Sequence, residues 1–113
     1  MIFDTDVMIW AFRGTTKALD TIDAATERSI SSVTYMELLQ GVRNKQEMIS
    51  MKRFLSTLGF SILPVTANIS SRAMSIMENT ALRSNLGVCD ALILATALDM
   101  GDTLQIGRAS CRE

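Results

Sequence analysis

The sequence predicts an α/β fold with helices around a mainly parallel sheet of about four strands. Short apolar segments alternate with helical stretches of about ten residues or more, which is typical of parallel strands joined by helices. The first of these segments is apolar throughout, as expected of a strand that is buried on both faces. The chain has 113 residues, 48% of them hydrophobic, which is enough for one domain with one core.

The composition limits the chemistry that this chain can carry. The absence of His excludes imidazole general-base catalysis, Ser-His-Asp triads and most transition-metal sites. The two cysteines, Cys89 and Cys111, form no disulfide framework and lie near no zinc-ligand spacing. Any catalysis must therefore rest on carboxylates, together with a hard divalent cation held by oxygen atoms.

The charge and hydropathy of the chain indicate where it works. The net charge of −1 gives no overall attraction to nucleic acid, so such binding would need a local basic patch. No apolar run approaches the roughly 18 residues that span a bilayer, and the N-terminus lacks the pattern of a signal peptide. We therefore expect a cytoplasmic protein with no membrane partner.

The first part of the chain predicts two strands and two helices. An apolar run at residues 1–4 predicts the first strand and ends in a carboxylate. Asp4 or Asp6 can cap the helix that follows, and we expect Asp6 to cap the short amphipathic helix at 7–12. A second helix at 17–26 has apolar residues at helical spacing, and residues 28–33 predict the second strand.

A helix expected at residues 34–41 carries an acidic residue with two interpretations. Thr34 and Glu37 fit the capping box Thr-x-x-Glu, in which the Glu side chain turns back to the start of the helix. The same helix start follows the second strand and therefore lies at the edge of the sheet where Asp4 lies, which is where ligands bind. Both interpretations of Glu37 remain open at this point.

The middle of the chain predicts a helix, a strand and a longer helix. Apolar residues recur at helical spacing over residues 48–58, residues 60–65 predict the third strand, and a helix runs from 67 or 68 to 82. The chain's only basic concentration lies here, at Arg43, Lys45, Lys52 and Arg53. It is either a solvated helix face or a surface that contacts phosphate, through Arg43 and Lys45.

The last predicted helix, at residues 88–98, is apolar on nearly every face, and we expect it to be buried. Asp90 lies in its first turn, as a cap or as a site residue, and a fourth strand begins near residue 103. Right-handed crossovers bring the carboxyl ends of parallel strands to one edge. Asp4, Glu37 and Asp90 are therefore expected to meet there.

Three carboxylates at one edge repel one another and raise each other's pKa unless a cation holds them. Mg²⁺ or Mn²⁺ suits a set of oxygen ligands. Such an ion lowers the pKa of a bound water and stabilises charge on a phosphoryl oxygen. The pattern therefore predicts metal-assisted hydrolysis of phosphodiester bonds, with no protein nucleophile.

Three segments of this chain resemble the conserved blocks of the PIN-domain ribonucleases. Among these ribonucleases, the segments resemble the VapC-type toxins of bacterial toxin–antitoxin pairs. The segments are FDTDVMI at 3–9, SVTYMELLQG at 32–41 and CDALILATA at 89–97. The resemblance extends over residues 1–105. It implies a PIN-like domain there, built as a three-layer α/β/α sandwich.

The resemblance also implies an activity. Asp4, Glu37 and Asp90 would bind Mg²⁺ or Mn²⁺ in an endoribonuclease that cuts single-stranded RNA, such as tRNA or rRNA. Asp6 and Thr96 match secondary polar positions of the site. Members of the family usually form homodimers, and a cognate antitoxin holds them inactive by filling the active-site groove.

The end of the chain departs from this family. A fourth acid or amide is expected near position 108, where this chain has Arg108. Residues 106–113 resemble the translation of a common sequencing-adapter read. We therefore expect them to be a non-native tail on a truncated reading frame, with the closing strand incomplete and the fourth site residue missing.

Two other functions remain open on the sequence. An Asp4-x-Asp6 pair after a strand also begins haloacid-dehalogenase-like phosphatases, in which the first Asp is a nucleophile. That chemistry, like that of receiver-type phosphoacceptor domains, needs a later Lys, and no Lys follows Lys52. The second alternative is a catalytically inactive PIN-like module that still binds its antitoxin through its hydrophobic helices.

Overall fold

The structure, a computed structural model, describes residues 1–107 and contains four strands and six helices in this range. The elements in chain order are β1 (Ile2–Phe3), α1 (Thr5–Phe12), α2 (Thr16–Ala24), β2 (Ser29–Ser31), α3 (Ser32–Gln40), α4 (Lys45–Thr57), β3 (Ser61–Leu63), α5 (Ala67–Thr80), α6 (Val88–Met100) and β4 (Leu104–Gln105). Arg108 and most of the expected non-native tail lie outside the described residues, so both expectations stay predictions.

The four strands form one sheet in the order β3-β2-β1-β4, and every pairing is parallel. In register, Ile2 lies opposite Ser29 on one side and opposite Leu104 on the other. The predicted α/β class with a parallel four-stranded sheet is therefore confirmed. Strand β2 is shorter than predicted because α3 begins at Ser32, directly after its last residue.

Both faces of the central strands are covered by helices. Ile2 and Phe3 in β1 are each 0% exposed, as are Ile30 and Ser31 in β2. Successive side chains of a strand point to opposite faces of the sheet, so burial of neighbours requires packing on both faces. This is the layer arrangement expected of a sandwich.

The core divides into two clusters. The larger surrounds Phe3 and takes buried side chains from α1, α2, α3 and α4, with the ring of Phe60 packed edge-on against Phe3 at 5.6 Å. The smaller lies between α5 and α6 and is built from Ile69, Ala73, Ala91 and Ala95. Its alanines are small, which lets the two helix backbones approach closely.

The strongly apolar helix α6 is buried only in its middle. Its central residues pack inside, but Val88 is 63% exposed and Leu98 and Met100 are each 53% exposed. The expectation of a wholly buried helix is therefore wrong at both ends, since apolar character alone does not determine which turns a neighbour covers. Within residues 1–107, no helix combines the length and the apolarity needed to cross a membrane.

Two helix starts differ from the sequence prediction. Helix α1 is capped by Asp4, whose Oδ1 accepts the Val7 N–H at 3.1 Å, and Asp6 lies in the first turn instead. Helix α3 is capped by Ser31, whose hydroxyl accepts the Val33 N–H at 3.1 Å. Asp4 directly follows the last residue of β1, and Ser31 is the last residue of β2. Each caps the next helix because the strand and the helix join without a loop.

Candidate active site

A pocket of about 320 Å³ opens at the carboxyl edge of the sheet. We call it the acid pocket, and its lining residues are Asp4, Thr5, Asp6, Ile9, Glu37, Gln40, Gly41 and Asp90. The three acids that the sequence singled out come from separate parts of the chain and line this one pocket. The parallel sheet explains this, because β1 and β2 end at this edge and α6, which precedes β4, begins there.

Asp4 has two structural roles at the end of β1. Its carboxylate caps α1 and also accepts the Gly107 N–H, at 3.0 Å to Oδ1 and 2.9 Å to Oδ2. Burial raises the pKa of Asp4, and the charges of Asp6 and Asp90 add to this rise, while the N–H donors of Val7 and Gly107 oppose it. The ionised form of Asp4 is therefore less favourable in the folded chain than it is in a free Asp side chain.

Glu37 is held by side chains rather than by the start of its helix. Its Oε1 accepts the Thr5 hydroxyl at 2.5 Å, and the Thr5 and Thr34 hydroxyl oxygens lie 3.2 Å apart. Since Ser31 is the cap of α3 and Thr34 lies inside its first turn, the capping-box interpretation of Glu37 is wrong. The half-buried Glu37 side chain lines the acid pocket instead.

Asp90 lies in the first turn of α6 and is exposed, as is its neighbour Cys89. The pKa of the Cys89 thiol is raised, first by its partial desolvation and then by the charges of Glu37 and Asp90. The thiol therefore stays protonated at neutral pH. A protonated thiol is a poor nucleophile and a poor metal ligand.

The two secondary site candidates differ in their placement. Asp6 is exposed and lines the acid pocket. Thr96 is 0% exposed, its hydroxyl donates to the Leu92 carbonyl at 2.8 Å, and it is not among the lining residues of the pocket. The structure thus brings Asp6 to the pocket and leaves Thr96 as a satisfied polar residue of the α6 core.

The donors of the acid pocket suit a hard divalent cation, because they are oxygen atoms of carboxylates, a hydroxyl and an amide. Within residues 1–107, however, no three acidic, His or Cys side chains lie close enough together to hold one metal ion. Carboxylates without a cation repel one another. The donor chemistry therefore fits Mg²⁺ or Mn²⁺, while binding requires the side chains to turn toward one another.

A larger cavity of about 510 Å³ adjoins the acid pocket, and we call it the side groove. Its lining residues are Ile9, Phe12, Arg13, Glu37, Leu38, Gly41, Val42, Arg43, Glu47 and Met51. It shares Ile9, Glu37 and Gly41 with the acid pocket. The two cavities are therefore neighbours: carboxylates line the acid pocket, and apolar side chains with Arg13 and Arg43 line the side groove.

Of the two predicted basic contacts, Arg43 lines this groove and Lys45 does not. Arg43 lines it and is 84% exposed, with Nη2 at 2.8 Å from Oε2 of Glu47. That pairing lowers the pKa of Glu47 and raises the pKa of Arg43. Lys45 is the first residue of α4 and is exposed, but it does not line the groove. The positive charge at this end is thus partly compensated at Arg43.

Two hydroxyl residues of the site, Thr5 and Thr34, are absent from the sequence prediction as site residues. Each had a usable signal. Thr5 directly follows Asp4 at the carboxyl edge of the sheet. Thr34 precedes Glu37 by three positions, and this spacing places Thr34 and Glu37 on one face of α3. Only the contact between α1 and α3 shows that Thr5 binds the Glu37 carboxylate and that Thr34 contacts Thr5.

Fold and pocket together define an α/β domain whose parallel sheet opens on a cluster of carboxylates. The chain belongs to the PIN domain family, whose model matches residues 1–104. Members of this family are generally nucleases and typically use divalent metal ions. The resemblance of the three sequence segments to that family is thereby confirmed.

Several solved structures are similar to this chain. A toxin–antitoxin complex from Klebsiella pneumoniae is 28% identical, with a TM-score of 0.75 over 91% of this chain and 82% of that chain. VapBC2 from Rickettsia felis bound to a promoter DNA fragment is 20% identical, with a TM-score of 0.72 over 92% and 85%. FitAcB from Neisseria gonorrhoeae is 20% identical, with a TM-score of 0.72 over 91% and 84%. The comparison with curated proteins returned no match.

Proposed function

We propose that this protein is a metal-dependent endoribonuclease of the VapC type, which hydrolyses phosphodiester bonds in single-stranded RNA such as tRNA or rRNA. The observation that carries the proposal is the meeting of Asp4, Glu37 and Asp90 in one pocket. Membership of a family of nucleases supports the reaction class. The toxin–antitoxin structures with similar folds support the VapC assignment.

The chain's own residues would prepare the acid pocket for a cation. Asp4, Glu37 and Asp90 would hold Mg²⁺ or Mn²⁺, and a bound ion would supply activation of water and stabilisation of phosphoryl charge. The hydrogen bond from the Val7 N–H orients Asp4, and the Thr5 hydroxyl orients Glu37. Asp6 adds negative charge at the pocket mouth, which attracts a cation.

The RNA strand would approach through the side groove. Arg43 lines the groove but not the acid pocket, and the exposed Lys45 follows it by two positions in the chain. Both offer the positive charge that contacts with phosphates need. The apolar wall formed by Ile9 and Phe12 gives a surface against which a base can pack. In this arrangement the residues that bind the RNA strand differ from the carboxylates that hydrolyse its backbone.

The first test is cleavage of a mixed tRNA pool by the purified chain with Mg²⁺, Mn²⁺ or EDTA. We expect cleavage that requires metal and falls by more than about 100-fold in Asp90→Asn, because loss of a metal ligand should exceed the loss of a group that only supports one. Asp20→Asn removes an exposed acid of α2 outside the pocket and is the matched control. Cleavage in EDTA, or full activity of Asp90→Asn, would contradict the proposal.

A second candidate function is a catalytically inactive module that binds an antitoxin. The observation that favours it is the Gly107 N–H on both oxygens of Asp4, since this donor occupies a carboxylate that the cation needs. A folded chain that cuts no RNA and binds no metal would support this candidate. The phosphatase alternative gains nothing from the fold, because no Lys lines the acid pocket within the described residues.

The partners we propose are a cognate antitoxin and a second copy of the chain. The similar fold of the toxin–antitoxin complex from Klebsiella pneumoniae supports the antitoxin. The exposed apolar side chains of Leu98 and Met100 on the last turn of α6 support self-association. Light scattering on the purified chain tests the homodimer. The cytoplasmic location stays a prediction.

A further inference from the structure

The first residue of α1 makes the strongest polar contact between α1 and α3. Thr5 Oγ1 lies 2.5 Å from Glu37 Oε1 and 3.2 Å from Thr34 Oγ1. Thr34 is 0% exposed, so water cannot replace Thr5 as the partner of its hydroxyl. Three side chains from two helices thus form one short chain of hydrogen bonds that ends at the acid pocket.

The donors and acceptors of this chain allow one arrangement that satisfies all three groups. An ionised carboxylate only accepts hydrogen bonds, whereas a hydroxyl has one proton to donate and can also accept. When Thr5 donates its proton to Glu37, its own oxygen is left to accept from Thr34. The buried hydroxyl of Thr34 therefore orients Thr5, and Thr5 orients the carboxylate.

We propose that Thr5 is a positioning residue for the metal site: it fixes Oε1 of Glu37, leaves Oε2 for the cation, and is itself held by Thr34. The inference rests on the proposed function, because it concerns a carboxylate assigned there to metal binding. It adds to that function a residue that acts through the Glu37 carboxylate.

Two physical reasons make this position effective. Glu37 has a long side chain with several rotamers, and a fixed rotamer removes the entropy that binding would otherwise cost. Thr5 also directly follows Asp4, whose capping contact fixes the start of α1. One helix start therefore sets the position of two carboxylates on different elements, which is how groups behind a metal ligand usually act.

The test is a double-mutant cycle on the affinity of the full chain for Mn²⁺, measured by titration calorimetry without RNA. We expect Thr5→Val to weaken binding by about 10- to 100-fold when Glu37 is present. In the Glu37→Ala background the same substitution should change the affinity by less than about 3-fold, since contacting residues are coupled and independent residues are not. Thr5→Ser keeps the hydroxyl and should restore the affinity.

Two further variants separate positioning from folding. Thr5→Val combined with Thr34→Val replaces both hydroxyls by methyl groups and leaves no buried hydroxyl without a partner, so the fold is kept. Thr21→Val removes a hydroxyl that donates only within α2, to the Lys17 carbonyl at 2.9 Å. We expect weak Mn²⁺ binding in the first variant and unchanged binding in the second.

The outcomes distinguish this inference from the function on which it rests. An equal loss from Thr5→Val in both backgrounds, or no loss in either, would overturn the positioning role and leave the metal site standing. A folded wild-type chain that binds no Mn²⁺, or a Glu37→Ala variant with unchanged affinity, would overturn the metal site and the positioning role together.

Discussion

At the scale of single residues, Asp4 shows that a structural role and a site role can coincide. Its side chain caps α1 and also lines the acid pocket. The two oxygens of a carboxylate offer about four acceptor sites, and the N–H groups of Val7 and Gly107 do not use all of them. The interpretation of Asp4 as a cap and its interpretation as a metal ligand are therefore compatible.

The stability of the metal-free chain should depend on pH through Asp4. Because the pKa of Asp4 is raised above its ordinary 3.8 in the folded state, the folded chain binds more protons than the unfolded chain in the pH range above 3.8. Its stabilising contribution is therefore present below that pH and is lost as the pH rises through the raised pKa. Asp4→Asn, which keeps a good cap, should gain stability over wild type as pH rises.

Urea unfolding midpoints of both chains at pH 4 and pH 7, in EDTA, measure this difference. We expect the two midpoints to be closer at pH 4 than at pH 7, with Asp4→Asn the more stable chain at pH 7. Asp20→Asn on α2 serves as the control, because Asp20 is an exposed acid outside the acid pocket. A difference between wild type and Asp4→Asn that stays constant with pH would show that the charge of Asp4 carries no cost in the fold.

At the scale of elements, the position and direction of α6 place Asp90 in the acid pocket. The helix packs on α5 through small residues, Ala73 against Ala91 and Ala95 in the smaller core cluster. Its C-terminus is closed by Gly101, which has φ of +61°. Both features fix the axis of α6 and therefore the position of its first turn.

Gly101→Ala should destabilise the chain by about 1–2 kcal/mol, because a Cβ is disfavoured in the left-handed region. No atom within 4 Å would meet that Cβ, so the cost is conformational and does not come from a clash. Gly101→Asn should cost less, since Asn tolerates this conformation better. Thermal or urea unfolding measures both variants. Equal losses in Ala and Asn would contradict a backbone origin of the effect.

At the scale of the whole molecule, the charge distribution predicts a weak and local attraction to RNA. The net charge is −1, so binding would depend on the few basic side chains near the side groove. Of these, Arg43 is already paired with Glu47, whereas Lys45 is an exposed cation at the start of α4. Lys45 should therefore contribute more to phosphate binding than Arg43.

The measurement is the affinity for a single-stranded RNA oligonucleotide, without divalent metal, at several salt concentrations. Each phosphate contact with single-stranded RNA contributes about −0.7 to the slope of log K against log salt. Lys45→Ala should lower the size of the slope by about that amount, and Arg43→Ala by less. Lys17→Ala on α2 is the control. An unchanged slope in Lys45→Ala would show that Lys45 contacts no phosphate and would contradict the proposed RNA path.

The sequence alone determined the class of fold and the set of acids. Alternation of strands and helices predicted the parallel sheet, because that pattern depends on local periodicity. The acids Asp4, Glu37 and Asp90 were predicted to share one edge, because parallel strands with right-handed crossovers leave few alternatives. These features need no knowledge of which side chains touch.

The tertiary structure decided what depends on such contacts. It showed that Ser31 rather than Thr34 caps α3, that Thr5 holds Glu37, and that Thr96 packs away from the pocket. Within residues 1–107 it also groups no three acidic side chains tightly enough to hold one metal ion as they stand, although Asp4, Glu37 and Asp90 line one pocket. The physical reason is common to all of these results: hydrogen bonds and charge repulsion act over a few ångströms, and only the packing of α1, α3 and α6 sets distances on that scale.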